Sequence, residues 1–472
     1  MLGIGIDFGT SNSSVAFFDG EALRYVDLEP DDEPREVMPT ALYLDRSFAS
    51  TVGSPAIARY VHDNAGRTVQ LTREEVGEIE ITVAGTDKTA GLGDGGAITQ
   101  EVRVHALTDA DMPGRLFRSI KRWLGHHGVE RVRVFDRRYR IVALATPVLT
   151  RLREAADSVG SSNARAAHVG RSVRYEGKTA DASAIALDRM TEACRYAGLP
   201  DATLYPEPIA AALSFLHERP APDGQTVMAF DFGGGTLDLS LVRARGERFR
   251  LLASHGTPLG GDTIDRLIYR GQIFPELGEG ALVRRPFGAE LRTIPFPFDN
   301  YAERLLNWTL AYELNRPELL EPIVQGVREG GETGGRLARL YELIQGNHAY
   351  SVFRAIESAK VELSDAQETS VYLPELDLTV PLSRREFESL LEPVLAEIDG
   401  CVEQVLQNAG LVAEQVDVVV RTGGSSRIPA VIRLLESAFP ERVVEHDPFR
   451  SIAAGLAIAS YHGYRPPPDR PD

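Results

Sequence analysis

The sequence predicts an α/β chain folded as two related lobes around a cleft. Three observations predict it. Ile6-Asp7-Phe8-Gly9, near the start, is matched by Phe230-Asp231-Phe232-Gly233 about half a chain later. Each copy ends an apolar strand on an aspartate, turns on glycine with threonine close behind, and returns as a second strand. A third glycine turn, Gly423-Gly424-Ser425, follows the apolar run Val416 to Val420. One such turn would mean little. Two copies at this spacing imply a duplicated unit with facing hairpins.

The first hairpin runs from Leu2, Ile4 and Ile6 through Gly9-Thr10-Ser11-Asn12-Ser13 to Val15, Ala16, Phe17 and Phe18. The segment up to about residue 115 is polar and glycine-rich around Gly91–Gly96, and reads as a peripheral subdomain with flexible loops. Arg115 to Gly125 is expected as a short amphipathic helix stopped by glycine. Thr150 to Asp157 reads as another helix and Ala166 to Val173 as a buried strand. Ala182 to Ala197 carries Ile185, Leu187, Met190 and Ala193 at helical spacing and closes at Gly198. Glu207-Pro208 opens the small-residue helix Ile209 to Leu216. Pro220, Pro222, Asp223 and Gly224 then mark the boundary between lobes.

The second hairpin follows, Val227 to Phe230 and Leu237 to Val242. Residues 274–350 are irregular, rich in proline and glycine, and read as an inserted subdomain. Val352 to Ser364 and Phe387 to Ala409 are expected helices, and Ser451 to Tyr461 is an alanine-rich last helix. Four prolines after Tyr464 predict a disordered tail.

The 472 residues are too many for one ordinary domain. A net charge of −17 sets the surface against nucleic acids and anionic membranes. It leaves nucleotides open, because backbone amides and one or two cations can reverse the sign locally. Cys194 and Cys401 are the two cysteines, far apart, so no zinc or redox pair forms, and a reduced, cytoplasmic compartment fits. No apolar run approaches a membrane span, and Met1 to Asp7 lacks the layout of a signal peptide.

A strand ending in aspartate and turning on Gly-Thr/Ser offers backbone N–H groups to an anion, and glycine lets the chain approach a phosphate without a Cβ clash. Asp7 and Asp231 are expected across the cleft from each other, holding a hydrated Mg²⁺. Gly423-Gly424 suits a flat ring or ribose, with Arg427 placed to stack. Lys121, read by itself, is a helical surface lysine. Asp238 lies in the returning strand, where aspartate is unfavourable.

These motifs together resemble the ATPase domain of the seventy-kilodalton heat-shock, DnaK-type, chaperones. Gly3 to Ser13 is similar to that family's first phosphate motif, and Asp231 to Asp238 to the second. Glu207-Pro208-Ile209-Ala210-Ala211-Ala212-Leu213 resembles its Glu-Pro-Thr-Ala-Ala-Ala segment, and Gly423 to Pro429 its adenosine motif. Glu357-Ser358-Ala359-Lys360 and Ser364 resemble the helix that touches adenine and ribose. Phe117 to Arg122 resembles the catalytic lysine segment.

The resemblance implies a duplicated ribonuclease H-like, actin-like ATPase fold. Residues 1–222 would form lobe I, with a peripheral subdomain at about 37–125. Residues 223–446 would form lobe II, with an insertion at about 270–355. Residues 447–464 would be a helix packing back on lobe I, and 465–472 a disordered tail. ATP or ADP and Mg²⁺ are the implied cofactors. Asp7 and Asp231 would organise the metal through water. Gly9, Thr10, Ser11, Asn12, Gly233, Gly234, Gly235 and Thr236 would hold phosphates, with Gly260 and Gly261 beside them. Glu357, Lys360, Ser364, Gly423, Gly424, Ser425 and Arg427 would hold the nucleoside. Lys121, Glu207, Asp238 and Thr236 would carry a slow hydrolysis.

There are departures. No peptide-binding domain, lid or apolar linker is seen, so the ATPase domain alone is expected, read by an unknown protein partner or client. Ser172 falls where the family has a relay proline, Val361 where an arginine stacks on adenine, and Phe449 where an acidic residue stands. This pattern resembles the YegD-like branch. An actin-like assembly protein and a small-molecule kinase share the fold and are the alternatives.

Overall fold

Strand alternation puts Gly3 and Gly5 on one face of the first segment, with Ile4 and Ile6 on the other. The computed structural model describes residues 2–29, 34–83, 98–159, 166–175, 179, 181–219, 222–245, 248–288 and 290–466. In it the first strand is Gly3–Phe8, within a mixed sheet ordered Thr203–Pro206, His168–Arg171, Gly3–Phe8, Asn12–Phe18 and Leu23–Tyr25, with Val37–Pro39 added on Asn12–Phe18. The glycine turn closes an antiparallel pair, Asp7 opposite Ser14 and Phe8 opposite Ser13. His168–Arg171 joins the other side in parallel.

A second sheet is ordered Arg248–Thr257, Leu237–Arg245, Thr226–Phe232, Val418–Thr422 and Val443–Glu445. Its hairpin sets Asp231 opposite Asp238, and the parallel strand sets Asp231 opposite Thr422. The central strands Gly3–Phe8 and Thr226–Phe232 are buried along their whole length. Strands covered on both faces read as apolar runs, as these do.

Two helices separate the sheets. Ser451–His462 lies on the first sheet, Glu207–Glu218 lies on the second, and the two helices pack on each other. Ile209, Leu213 and Phe215 meet Val227, Val420 and Leu456 in this layer. The approach is too close for side chains at three points. A Cβ on Gly455 would stand 1.7 Å from the Ala210 carbonyl oxygen, one on Gly5 2.1 Å from that of Ala453, and one on Gly3 2.2 Å from that of Ala457.

Several elements differ from expectation. Arg115 to Gly125 is not one helix but strand Gly114–Arg118 followed by the short helix Ile120–Trp123. Pairing with Ala41–Asp45 buries Leu116 and Phe117, and that long-range gain overrides local helix preference. Phe387 to Ala409 is two helices, Arg384–Leu390 and Glu392–Ala409, the second opening with Pro393 in its first turn. Residues 274–350 are more ordered than their composition suggests. They hold the hairpin Leu282–Phe287 and Glu290–Pro295 and the helices Pro317–Val327 and Gly331–Gln345, packed through Ile323, Leu337 and Leu340. Gly91–Gly96, part of the lobe boundary at residues 220 and 221, and the tail from 467 lie outside the described residues. Among the described residues no helix is long and apolar enough to cross a membrane.

Gly455→Ala tests the close packing. In an open helix this change adds about 1 kcal/mol of stability. Here the methyl has no room, and we expect a loss of about 1–3 kcal/mol, read as a fall of several degrees in the thermal midpoint.

Candidate functional site

The two glycine turns meet. A Cβ on Gly234 would stand 1.9 Å from the Ser11 hydroxyl oxygen, and one on Gly235 2.6 Å from the Thr10 methyl. The second turn is fixed from behind. Gly233 N–H donates to the Thr236 carbonyl at 3.0 Å, Gly261 N–H to that of Gly233 at 3.1 Å, and Asp262 N–H to that of Gly234 at 2.7 Å. The third turn seals the same corner. Ser425 Oγ donates to the Gly233 carbonyl at 2.9 Å. Gly423 has φ +81, and a Cβ there would stand 2.4 Å from the Phe232 carbonyl oxygen, so this position requires glycine on both counts.

The three turns open on one cleft of about 280 Å³, close to the lower bound for small-molecule sites. Asp7, Gly9, Thr10, Ser11 and Asn12 line one side, and Asp231 with Gly233, Gly234, Gly235 and Thr236 the other. Glu207 is at the floor. Glu357, Lys360, Ser364, Gly423, Gly424, Ser425 and Arg427 line the far wall. Four residues named from sequence do not line it: Lys121, Asp238, Gly260 and Gly261. Lys121 and Asp238 lie behind the floor, and the two glycines back the second turn. The sequence reading missed Pro448 and Ile452 and gave no role to Ile428, which lies within the adenosine motif; these three add an apolar side. It had marked Val361 and Phe449 as departures, and both line this wall. Pro448 and Ile452 carry no motif beyond their place before the last helix.

Arg427 pairs with Asp365 at 3.7 Å, both exposed, so the guanidinium is weakly held. Lys360 is anchored more firmly, 2.7 Å from buried Asp265. Across the cleft from these, Arg122 pairs with Asp262 at 2.9 Å and Arg118 with Glu357 at 3.5 Å.

Lys121 owes its place to a bend. Ser119 has φ 54, a left-handed conformation that costs a residue with a Cβ about 1 kcal/mol or more. The bend turns strand Gly114–Arg118 into helix Ile120–Trp123 and aims Lys121 inward, where it is 2% exposed and ion-paired with Glu207. Asp7, Asp231 and Asp238 are buried around this pair. Burial first, then the Glu207 charge, pushes Asp7 up to about 8 from its ordinary 3.8. The same two causes push Asp238 to about 7, and burial with the Asp238 charge holds Asp231 well above its usual range. Burial opposes the charge on Lys121, but Glu207 outweighs it and raises the ammonium above its ordinary value. Among the described residues, Asp7 Oδ1 and Asp238 Oδ1 have no hydrogen-bond partner. Four carboxyl groups thus share one ammonium, and two of their oxygens are unsatisfied. Such a floor fits a cation. No three His, Cys, Asp or Glu among the described residues are placed to hold a metal directly.

A model of the Hsp70 protein family matches residues 123–273 and 345–461, together more than half of the chain. The chain belongs to the Hsp70 family. The matched residues include both strands of the second hairpin, the helix carrying Glu357 and Lys360, and the third turn. Two chaperone proteins DnaK, from two strains of Thermus thermophilus, are each 30% identical to the chain over 278 residues, which is 56% of the chain and 35% of each relative. The match therefore spans about a third of the length of these relatives. The mixed α/β architecture agrees with the fold of this family.

The raised carboxyls make a pH prediction for the metal-free, nucleotide-free protein. They keep protons in the fold that the unfolded chain releases near the ordinary aspartate value. Their favourable contribution is complete below that value and is lost as pH rises through about 7 and 8. In a chelator, the urea midpoint is expected to fall between about pH 4 and 8 and to level off above that. Asp238→Asn is expected to flatten that fall, and an unchanged slope would contradict the assignment.

Proposed function

We propose that the chain binds ATP and ADP in this cleft and hydrolyses ATP slowly, as the nucleotide-binding unit of an Hsp70-type protein. The observation that carries the reading is the contact of the two glycine turns above a floor with excess carboxylate. Backbone amides of Thr10, Ser11, Asn12, Gly234 and Gly235 are the phosphate donors, supported by the hydroxyls of Thr10, Ser11 and Thr236. Glu357, Lys360, Ser364, Gly423, Gly424, Ser425 and Arg427 hold the nucleoside, and Phe449 and Ile428 give its ring an apolar neighbour. Mg²⁺, held by Asp7 and Asp231 through water, neutralises phosphate charge when bound.

Hydrolysis in this reading is positioning and charge stabilisation. Glu207 holds Lys121 charged and aimed, so the ammonium stabilises charge growing on the terminal phosphoryl group. Glu207 and Asp238 orient the attacking water.

The two sheets share one strand order, which supports an origin by duplication of a ribonuclease H-like, actin-like lobe. The thin ion pairing across the cleft, Arg122 to Asp262 and Arg118 to Glu357, supports opening and closing with nucleotide. A protein partner in the cytoplasm would read that change. The positions Ser172, Val361 and Phe449 support a place in the YegD-like branch.

The test is ATP binding and single-turnover hydrolysis. Lys121→Met is expected to bind ATP within about threefold of the parent and to lose about 10²–10³ in rate. Leaving Glu207 buried alone also lowers stability by about 3–5 kcal/mol, so assays belong well below the melting temperature. Asp231→Asn is expected to weaken Mg²⁺-dependent binding. Equal turnover in all three proteins, or no ATP binding by the parent, would sink the reading.

A further inference from the structure

Behind the cleft floor run the strand His168–Arg171 and the chain that follows it. A Cβ on Gly170 would stand 2.9 Å from Glu207 Oε1, so the strand lies against the carboxylate that pairs with Lys121. Four residues on, the chain meets the other side of the floor. A Cβ on Gly256 would stand 2.7 Å from Asp238 Oδ1 and 3.2 Å from the Arg174 Cβ, so both lie close to one point. The next residue is Tyr175.

Tyr175 is 5% exposed and packs in the core under the first sheet. Its backbone N–H donates to Ser183 Oγ at 3.3 Å, which ties it to the helix Ala182–Tyr196. Its hydroxyl oxygen has no hydrogen-bond partner among the described residues. Phenylalanine would fill the same space without leaving a buried hydroxyl unpaired, an arrangement that costs stability. Packing therefore accounts for the ring and not for the oxygen. The oxygen acts on the Lys121 ammonium more strongly than the Asp7 carboxyl does, which sets it beside the ion pair. Burial pushes the phenol up to about 12 against the pull of Lys121, so it keeps its proton at neutral pH and remains a donor.

We propose that Tyr175 is a positioning residue for hydrolysis, whose hydroxyl donates to Glu207 once nucleotide is bound and so fixes the Lys121–Glu207 pair beneath the terminal phosphoryl group. The inference rests on the nucleotide reading above. A bound triphosphate draws hydrogens of the ammonium toward its own oxygens, and Glu207 is left with fewer donors. A buried carboxylate short of donors is unfavourable, and a phenol at its side restores one. An ammonium on a flexible stem also has no orientation of its own, so the groups around it set its direction. Such a contact acts on charge that grows in the transition state and adds little to ground-state binding.

The experiment is thermal melting, ATP binding and single-turnover hydrolysis of the full chain, parent beside Tyr175→Phe. The melting midpoint is expected to hold or rise, because a partnerless hydroxyl is removed and the ring stays. ATP affinity is expected to stay within about twofold, while the hydrolysis rate falls roughly tenfold. In the Lys121→Met background the same change is expected to move the rate by less than about twofold, since the hydroxyl works through the ion pair. The inference is overturned if Tyr175→Phe matches an active parent in rate, if affinity falls as far as the rate, or if the loss is as large without Lys121. An inactive parent would remove the nucleotide reading and this inference together.

Discussion

Everything at the cleft floor depends on one imbalance, four buried carboxyl groups around a single ammonium. Lys121 balances Glu207, and a well-made buried pair of this kind roughly breaks even against its desolvation. Among the described residues, Asp7, Asp231 and Asp238 have no such answer. Each lies at or below 9% exposure, and each therefore resists ionisation. A floor of this kind already lowers stability at neutral pH, because the unfolded chain releases protons that the fold retains. It persists because two extensive apolar cores flank it, one under each sheet. Strained function supported by surrounding packing is the usual relation between a site and its scaffold.

The imbalance could not be assembled without the close packing between the sheets. Asp7 is two residues beyond Gly5, on the face that meets the last helix. Glu207 opens the helix whose Ala210 carbonyl lies against Gly455. Replacing any of these glycines by a larger residue would push the helix pair apart. The first hairpin and Glu207 would then separate, and Ser11 would lose its contact with Gly234. Small residues far from any phosphate therefore set the distance on which the turns rely. Their spacing is enforced by backbone touching backbone, which tolerates less adjustment than side-chain contact.

This explains which parts of the protein were legible in its sequence. The hairpins were, because an aspartate closing an apolar strand and glycines in the turn are local signals with local causes. The third turn was legible for the same reason, whereas the helix with Glu357 and Lys360 was legible as a helix from its periodicity and as part of the site only from the family resemblance; all of them line one cleft. Lys121 was not legible from its neighbours. A lysine in a helical pattern reads as surface, and its burial follows from the left-handed Ser119 and from the pairing of Gly114–Arg118 with Ala41–Asp45, both set by distant chain. Family resemblance, not periodicity, marked it. Gly3 and Gly5 were read as part of a phosphate motif, whereas their positions are fixed by the last helix, more than four hundred residues away. Pro448 and Ile452 have no pattern to find, since they meet Ile428 of the third turn only through the fold.

Net charge misleads in the same way. A total of −17 describes the far field, which governs encounter and solubility, but it averages over two local arrangements. One is the buried floor, too negative for its surroundings. The other is the ribbon ending at Arg140, whose register sets Arg131 opposite Arg140 and Arg133 opposite Arg138. The ribbon runs straight into the helix Ile141–Val159, which packs on Gly3–Phe8 and Asn12–Phe18, the strands that carry Asp7 and the first turn. That helix reaches only part of the floor, because Asp7 belongs to the first sheet while Asp231 and Asp238 belong to the second. The buried carboxyl groups are unfavourable to the isolated chain at neutral pH. A fold selected for stability alone would have removed them, so their place beneath the glycine turns argues that the floor serves something other than folding.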